Sequence, residues 1–201
     1  MSGPRLVVPP GRAGRLWLQQ RIGTAHRGAG LLDRKLLILQ REVSRLREIA
    51  ARTAADWESR QADADQWLLR AGLLEGQRAI RLSADATFAE VTISYAASMG
   101  VRYPADAAYA VQPAATWDSP VLAATRQAHR EALAAAVRHA AAAEALRVIQ
   151  AEALTTRYRL RAVRDRWIPR LEQALADVTL AIEEQERSDA ARLRLARTAD
   201  A

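Results

Sequence analysis

Two stretches, one toward each end of the chain, carry apolar residues at alternating steps of four and three. The first runs through Leu18, Ile22, Ala25, Ala29, Leu32, Leu36, Leu39, Val43, Leu46, Ala50, Thr53 and Trp57 without a missed step. The second runs through Leu146, Ile149, Ala153, Thr156, Leu160, Val163 and Trp167, then Leu171, Leu175, Val178 and Ile182. A stripe repeating every ~3.5 residues keeps facing a partner helix only if the two helices supercoil, so a repeat this long marks a coiled coil. The economical partner for each seam is the other, folded back antiparallel. The expected fold is all-α dominated: a long antiparallel two-helix coiled coil from the N- and C-terminal segments, with a small central head carrying a β-hairpin. A chain that is mostly rod suits a mechanical or scaffolding role better than a pocket for chemistry.

Composition agrees with thin helical packing. Half of the 201 residues are hydrophobic, yet aromatics make up only 5%, and alanine supplies much of the rest. Alanine is the best helix former and fills little volume. There is no cysteine, so disulfides and thiolate metal sites are excluded and a reducing compartment is permitted. Leu6, Val7 and Val8 are too few to form a signal-peptide core, and no apolar run approaches the ~18 residues of a membrane span. The expected location is cytoplasmic and soluble.

The formal net charge is +7, and Lys35 is the one lysine among 30 basic residues. Arginine codon bias and an acidic binding partner both account for this. Nucleic acid and anionic lipid are the other partner classes, but the arginines alternate with Asp and Glu, and no nucleic-acid recognition motif or aromatic stacking platform accompanies them.

Along the chain, residues 1–11 are Gly/Pro-rich and read as irregular. Residues 12–83 read as one long helix, in which some 60–70 helical residues at ~1.5 Å per residue would span roughly 90–105 Å. Gly23, Gly28 and Gly30 within it either admit another backbone closely or mark a weak helix start. Residues 84–117 read as the head. Beyond Phe88, Val91, Ile93 and Tyr95 alternate at strand period, residues 98–104 (with Met99, Gly100 and Pro104) read as a loop, and a second weak strand is expected over 108–112 before Pro113. Asp118 or Ser119 followed by Pro120 is a helix start, and residues 118–201 read as the second long helix. Its seam steps by four to Trp167 and by four again to Leu171, a stutter that unwinds a left-handed supercoil. Pro169 lies inside it and predicts a bend, either a tolerated kink or a device that makes the rod asymmetric.

No catalytic constellation stands out. His26, His129 and His139 have no mutual i, i+4 spacing for a metal face, and no phosphate-cradling loop follows a strand. Glu183, Glu184 and Glu186 read as the polar face of a helix. No catalytic, cofactor-binding or metal residue is predicted, and no cofactor.

Three segments nevertheless resemble one family. Pro10-Gly11-Arg12, Leu16, Leu18, Ile22, Ala25, Arg27-Gly28, Leu31-Leu32 and Arg34-Lys35 are similar to the N-terminal helix of the D subunit of V/A-type ATPases and ATP synthases. Met99-Gly100-Val101 with Pro104 resembles that family's central turn. Arg159, Ala162, Ile168-Pro169-Arg170-Leu171-Glu172, Glu184, Glu186-Arg187 and Arg192-Leu193-Arg194 resemble its C-terminal helix. Gly11 stands where the family usually has Thr, and Arg161 where it often has Asn. The resemblance implies a non-catalytic central rotor shaft that passes torque between a catalytic hexamer and a membrane rotor ring, coupling ATP synthesis or hydrolysis to ion transport. Implied partners are the catalytic and non-catalytic hexamer subunits, the small F subunit of the rotor, and a funnel-shaped subunit that seats the shaft on the ring. Neither nucleic acid nor direct membrane insertion is implied; the location would be peripheral to a membrane complex. The alternative is a stand-alone coiled-coil scaffold that dimerises through the same seams.

Overall fold

A computed structural model describes residues 6–83, 89–110 and 119–199. Phe88, Gln112, Pro113 and Asp118 lie outside the described residues. The elements run α1 (Gly11–Leu74), α2 (Gly76–Ser83), β1 (Val91–Ser98), β2 (Val101–Tyr109), α3 (Pro120–Arg161), a π-helical segment (Ala162–Trp167) and α4 (Ile168–Ala199).

The first long helix stops earlier than its periodicity suggests. The Glu75 amide donates to the Ala71 carbonyl at 2.9 Å. Gly76 then takes φ +76, the left-handed conformation that ends helices and that glycine adopts without a Cβ penalty. The chain resumes as the short α2, so the expected single helix to Ser83 is two. At its other end Gly14 is buried, and a Cβ there would meet the Pro9 carbonyl oxygen at 2.0 Å. The N-terminal segment therefore packs back on the first turn of α1, and only glycine leaves room for it.

The hairpin tightens what the sequence suggested was a loop. Met99 (φ 51) and Gly100 (φ 83) are both left-handed, the signature of the two-residue turn whose twist matches paired strands. Val101 to Tyr109 then form β2, antiparallel to β1, with Ser98 opposite Val101, Ala96 opposite Tyr103 and Ile93 opposite Ala107. Pro104 is therefore not in a loop. It stands in β2 opposite Tyr95, beside a register shift at Ser94 and Tyr95. A two-stranded sheet has only edge strands, and an edge strand beside a bulge tolerates a residue without an N–H. The second strand accordingly ends at Tyr109 and begins seven residues before the expected 108–112.

At the start of α3 the Ser119 hydroxyl accepts from the Leu122 amide at 3.3 Å, and Pro120 occupies the first helical position. Both features satisfy or remove amides that a helix start would leave unpaired.

The chain forms two compact units: Met1–Leu36 with Thr155–Ala201, and Leu37–Leu154. In each, the N-terminal helix and the C-terminal helix pack against one another. In the first unit Arg12 pairs with Glu186 at 2.8 Å, His26 with Glu172 at 3.8 Å and Asp33 with Arg164 at 3.8 Å. Residue numbers fall on one helix as they rise on the other, which is antiparallel pairing. Its buried cluster is Ala29, Leu160 and Ile168, with Ala25, Leu32, Leu36 and Val163 packed against it. In the second unit Leu39, Leu46, Tyr103, Ala145 and Ile149 form the cluster, so the hairpin contributes to the same core as the helices. Ala64, Ala71, Ala132, Ala135, Ala141 and Ala142 are buried there as well. Such small side chains let two helix backbones approach closely, at the cost of a thin apolar layer.

Candidate functional site

With little core volume available, the chemistry of this chain lies in how its helices register and how the hairpin is held. On the first seam, Leu18, Ala29, Leu39, Leu46 and Ala50 are buried, and Ile22, Ala25, Leu32, Leu36, Val43, Thr53 and Trp57 are half-buried. On the second, Ile149, Thr156, Leu160 and Leu171 are buried, and Leu146, Ala153, Val163, Leu175, Val178 and Ile182 are half-buried.

Trp167 departs from this pattern. It is 37% exposed, while the next residue, Ile168, is 6% exposed and joins the Leu160 cluster. The Ile168 amide donates to the Val163 carbonyl, five residues back rather than four. A π turn holds one more residue than an α turn, so the five-residue step from Val163 to Ile168 covers the rotation of an α-helical four. Leu171, Leu175, Val178 and Ile182 then follow at 3, 4, 3 and 4. In sequence, Val163, Trp167, Leu171 and Leu175 are spaced 4, 4 and 4, one residue more than a heptad's 4, 3 and 4. The irregularity is a single extra residue, not a stutter, and the π turn absorbs it. Pro169 sits just beyond; it has no amide to offer, and the wider turn relieves the clash its ring would make with the preceding carbonyl.

The hairpin is fastened by polar contacts at both ends. Near its tip, the Tyr103 hydroxyl donates to Glu42 Oε1 at 2.8 Å, and Arg45 donates to the same carboxylate at 2.6 and 3.0 Å. The Arg45 hydrogen bonds hold the Glu42 carboxyl below its usual range, and the Tyr103 hydroxyl adds to this. Burial, reinforced by Glu42, pushes the Tyr103 hydroxyl up, and Glu42 pushes the Arg45 guanidinium up. At the hairpin's base, the Tyr109 hydroxyl donates to the Arg130 carbonyl of α3 at 2.9 Å. Val91, Ile93, Tyr95 and Met99 remain 43–51% exposed, and the Arg102 guanidinium lies 4.1 Å over the Tyr95 ring. The outer surface of the hairpin is thus apolar and aromatic with a cation laid across it.

A polar layer joins α1 to α3. The Trp57 and His139 rings stack at 5.6 Å, and His139 Nδ1 lies 3.3 Å from Thr53 Oγ1. Arg138 reaches Asp56 at 3.3 Å, and Arg60 bridges Asp56 and Glu131. Hydrogen bonds from Gln127, then from Arg60, lower the Glu131 carboxyl. The three histidines stay apart: His26 faces Glu172, His129 Nδ1 approaches the Thr125 carbonyl at 2.9 Å, and His139 stacks as described.

Sequence periodicity missed three of these features. Ile168 was hidden because every helical template skips from Val163 to Trp167. Glu42 sits beside the seam, and nothing local marks it as the acceptor for a tyrosine 61 residues away. Tyr103 could have been found, because Val101 and Tyr103 alternate beyond a turn whose second residue is glycine.

A family model described as the ATP synthase D subunit matches residues 16–198 of the chain. A comparison of the whole sequence with curated proteins gave no match.

Proposed function

The chain belongs to the ATP synthase D-subunit family, a stalk component of the rotary complex, and from that premise we propose that it is the central rotor shaft of a V/A-type machine. Torque passes along the paired α1 and α3–α4 helices between a catalytic hexamer and a membrane rotor ring. The shaft couples ATP synthesis or hydrolysis to ion movement without catalysing either. The observation that carries this reading is the family match, which spans both long helices and the hairpin between them.

The physical features suit the role. Seam residues from Leu18 to Ile182 bind one helix to the other, so a turning force on one is shared by both. Different faces of the pair, presented in succession to identical catalytic sites, bias each site toward a different nucleotide affinity, a population shift driven by differential contact. The surface is rich in arginine and in exposed ion pairs such as Arg12 with Glu186 and Arg187 with Glu183. Exposed pairs of this kind are weak and exchangeable, which suits a surface that slides. The partners in this reading are the catalytic and non-catalytic hexamer subunits, the small F subunit of the rotor, and a funnel-shaped subunit on the ring. Among the described residues no helix is long and apolar enough to cross a membrane, and the proposed location is peripheral.

Co-expression with catalytic and non-catalytic hexamer subunits, followed by an ATPase assay coupled to rotation, tests the proposal. A chain that joins the hexamer and changes its turnover supports it. A chain that stays free, sediments as a concentration-dependent dimer and leaves turnover unchanged refutes it in favour of a scaffold.

A further inference from the structure

The extra residue between Val163 and Leu171 can be absorbed in two ways. The structure shows one of them: a π turn, with Ile168 buried and Trp167 at the edge. The other is a continuous α-helix with seam steps of 4, 4 and 4, with Trp167 buried and Ile168 turned out. One residue corresponds to about 100° of helix rotation, so the second arrangement must spread that angle along three turns as local unwinding of the left-handed supercoil. Leu160 before the slip and Leu171 after it keep their places in either arrangement. The facing helix offers Ala25 and Ala29 at this level, side chains small enough to leave room for an indole where Ile168 now packs. Pro169 disfavours the continuous helix, because its ring collides with the carbonyl of the previous turn.

The geometry points to residues 162–169 being a two-state torsional joint, in which unwinding the helix pair exchanges the π turn for a continuous helix and swaps Ile168 for Trp167 in the seam. Overwinding favours the π form, because that form stores the extra residue without altering the supercoil. Packed helices are bistable rather than continuously deformable, so the joint yields in one step. The shaft reading supplies the source of the torsion; the exchange itself is a property of this chain alone.

The absence of cysteine makes thiol labelling a clean probe. Full-length Trp167→Cys and Ile168→Cys are each made with and without Pro169→Ala, and the labelling rate of the single thiol is measured. With Pro169 present, position 167 should label several-fold faster than position 168, in keeping with exposures of 37% and 6%. Removing the proline penalty, on the order of a hundredfold in population, should slow labelling at 167 and speed it at 168. Unchanged rates, or two rates that move together, would overturn the joint. If either cysteine variant loses helicity, amide hydrogen exchange over 163–170 in the otherwise native chain and in Pro169→Ala replaces it. Protection of the Trp167 and Ile168 amides that rises in Pro169→Ala supports the exchange, and protection that is unchanged or falls refutes it. The measurement needs no hexamer, so its failure and the failure of the shaft reading are distinguishable.

Discussion

Two buried threonines on α3 offer a matched test of how polar groups in a thin seam affect stability. Thr156 is 1% exposed, and its hydroxyl has no hydrogen-bond partner among the described residues. Thr125 is 7% exposed, and its hydroxyl lies 2.8 Å from the Val121 carbonyl and 3.1 Å from the Trp67 carbonyl on α1. Valine has nearly the shape and helix propensity of threonine, so Thr→Val isolates the hydroxyl. At position 156 the substitution removes a desolvated group that gains nothing in return, and should stabilise the chain by about 1–2 kcal/mol. At position 125 it removes a satisfied hydroxyl and should cost about 0.5–1.5 kcal/mol. The two changes are chemically identical and opposite in sign. For a chain of this size each kcal/mol moves the melting midpoint by roughly 2–4 °C, which thermal unfolding followed by circular dichroism resolves. Urea titration of the same variants separates stability from any change in exposed surface, because only the midpoint should move. If Thr156→Val destabilises as much as Thr125→Val, the Thr156 hydroxyl has a partner and the reasoning fails.

Leu39 is fully buried at the centre of the hairpin-bearing cluster. Leu39→Asp combines lost packing with a charge in the seam, and should cost at least about 4 kcal/mol; unchanged helicity and melting would contradict the pairing. Leu175→Asp, on a half-buried seam position, should act in the same direction with a smaller effect, read by the same melt. Because the folded state holds the Glu42 carboxyl low, its contribution is present above the ordinary carboxylate pKa of about 4.3 and is lost as pH falls through the folded value. Glu42→Gln should therefore cost about 1–2 kcal/mol at neutral pH and nothing in strong acid, a convergence that urea titrations at several pH values would show. Met99 sits at φ 51 ahead of Gly100, where asparagine is far better tolerated; Met99→Asn should stabilise the hairpin by about 0.5–1 kcal/mol, seen as slower exchange of the β1 and β2 amides.

How much of the molecule was legible beforehand depends on the range of the forces involved. Apolar spacing, alanine content and the Ser119-Pro120 start act within a turn or two of helix, so two long helices paired through their seams, with a hairpin between them, could be read from residue order alone. The break at Gly76 was written in the sequence as a glycine, but glycines 23, 28 and 30 look the same there and lie inside α1; only the backbone conformation distinguishes them. Pro104 signalled a loop because its local rule forbids a central strand, and it is a strand residue because this sheet has nothing but edges. The choice of Ile168 over Trp167 needed the facing helix. Both residues are apolar and adjacent, and burial went to the one that a five-residue step returns to the seam beside Ala29 and Leu160. The fastening of Tyr103 to Glu42 is likewise a long-range fact, since hydrogen-bond partners 61 residues apart meet only once the hairpin lies on the helices. Sequence periodicity determined which faces must be covered. Tertiary packing decided how one surplus residue and one buried tyrosine were accommodated, because rotation about a helix and the satisfaction of a buried hydroxyl depend on what stands opposite.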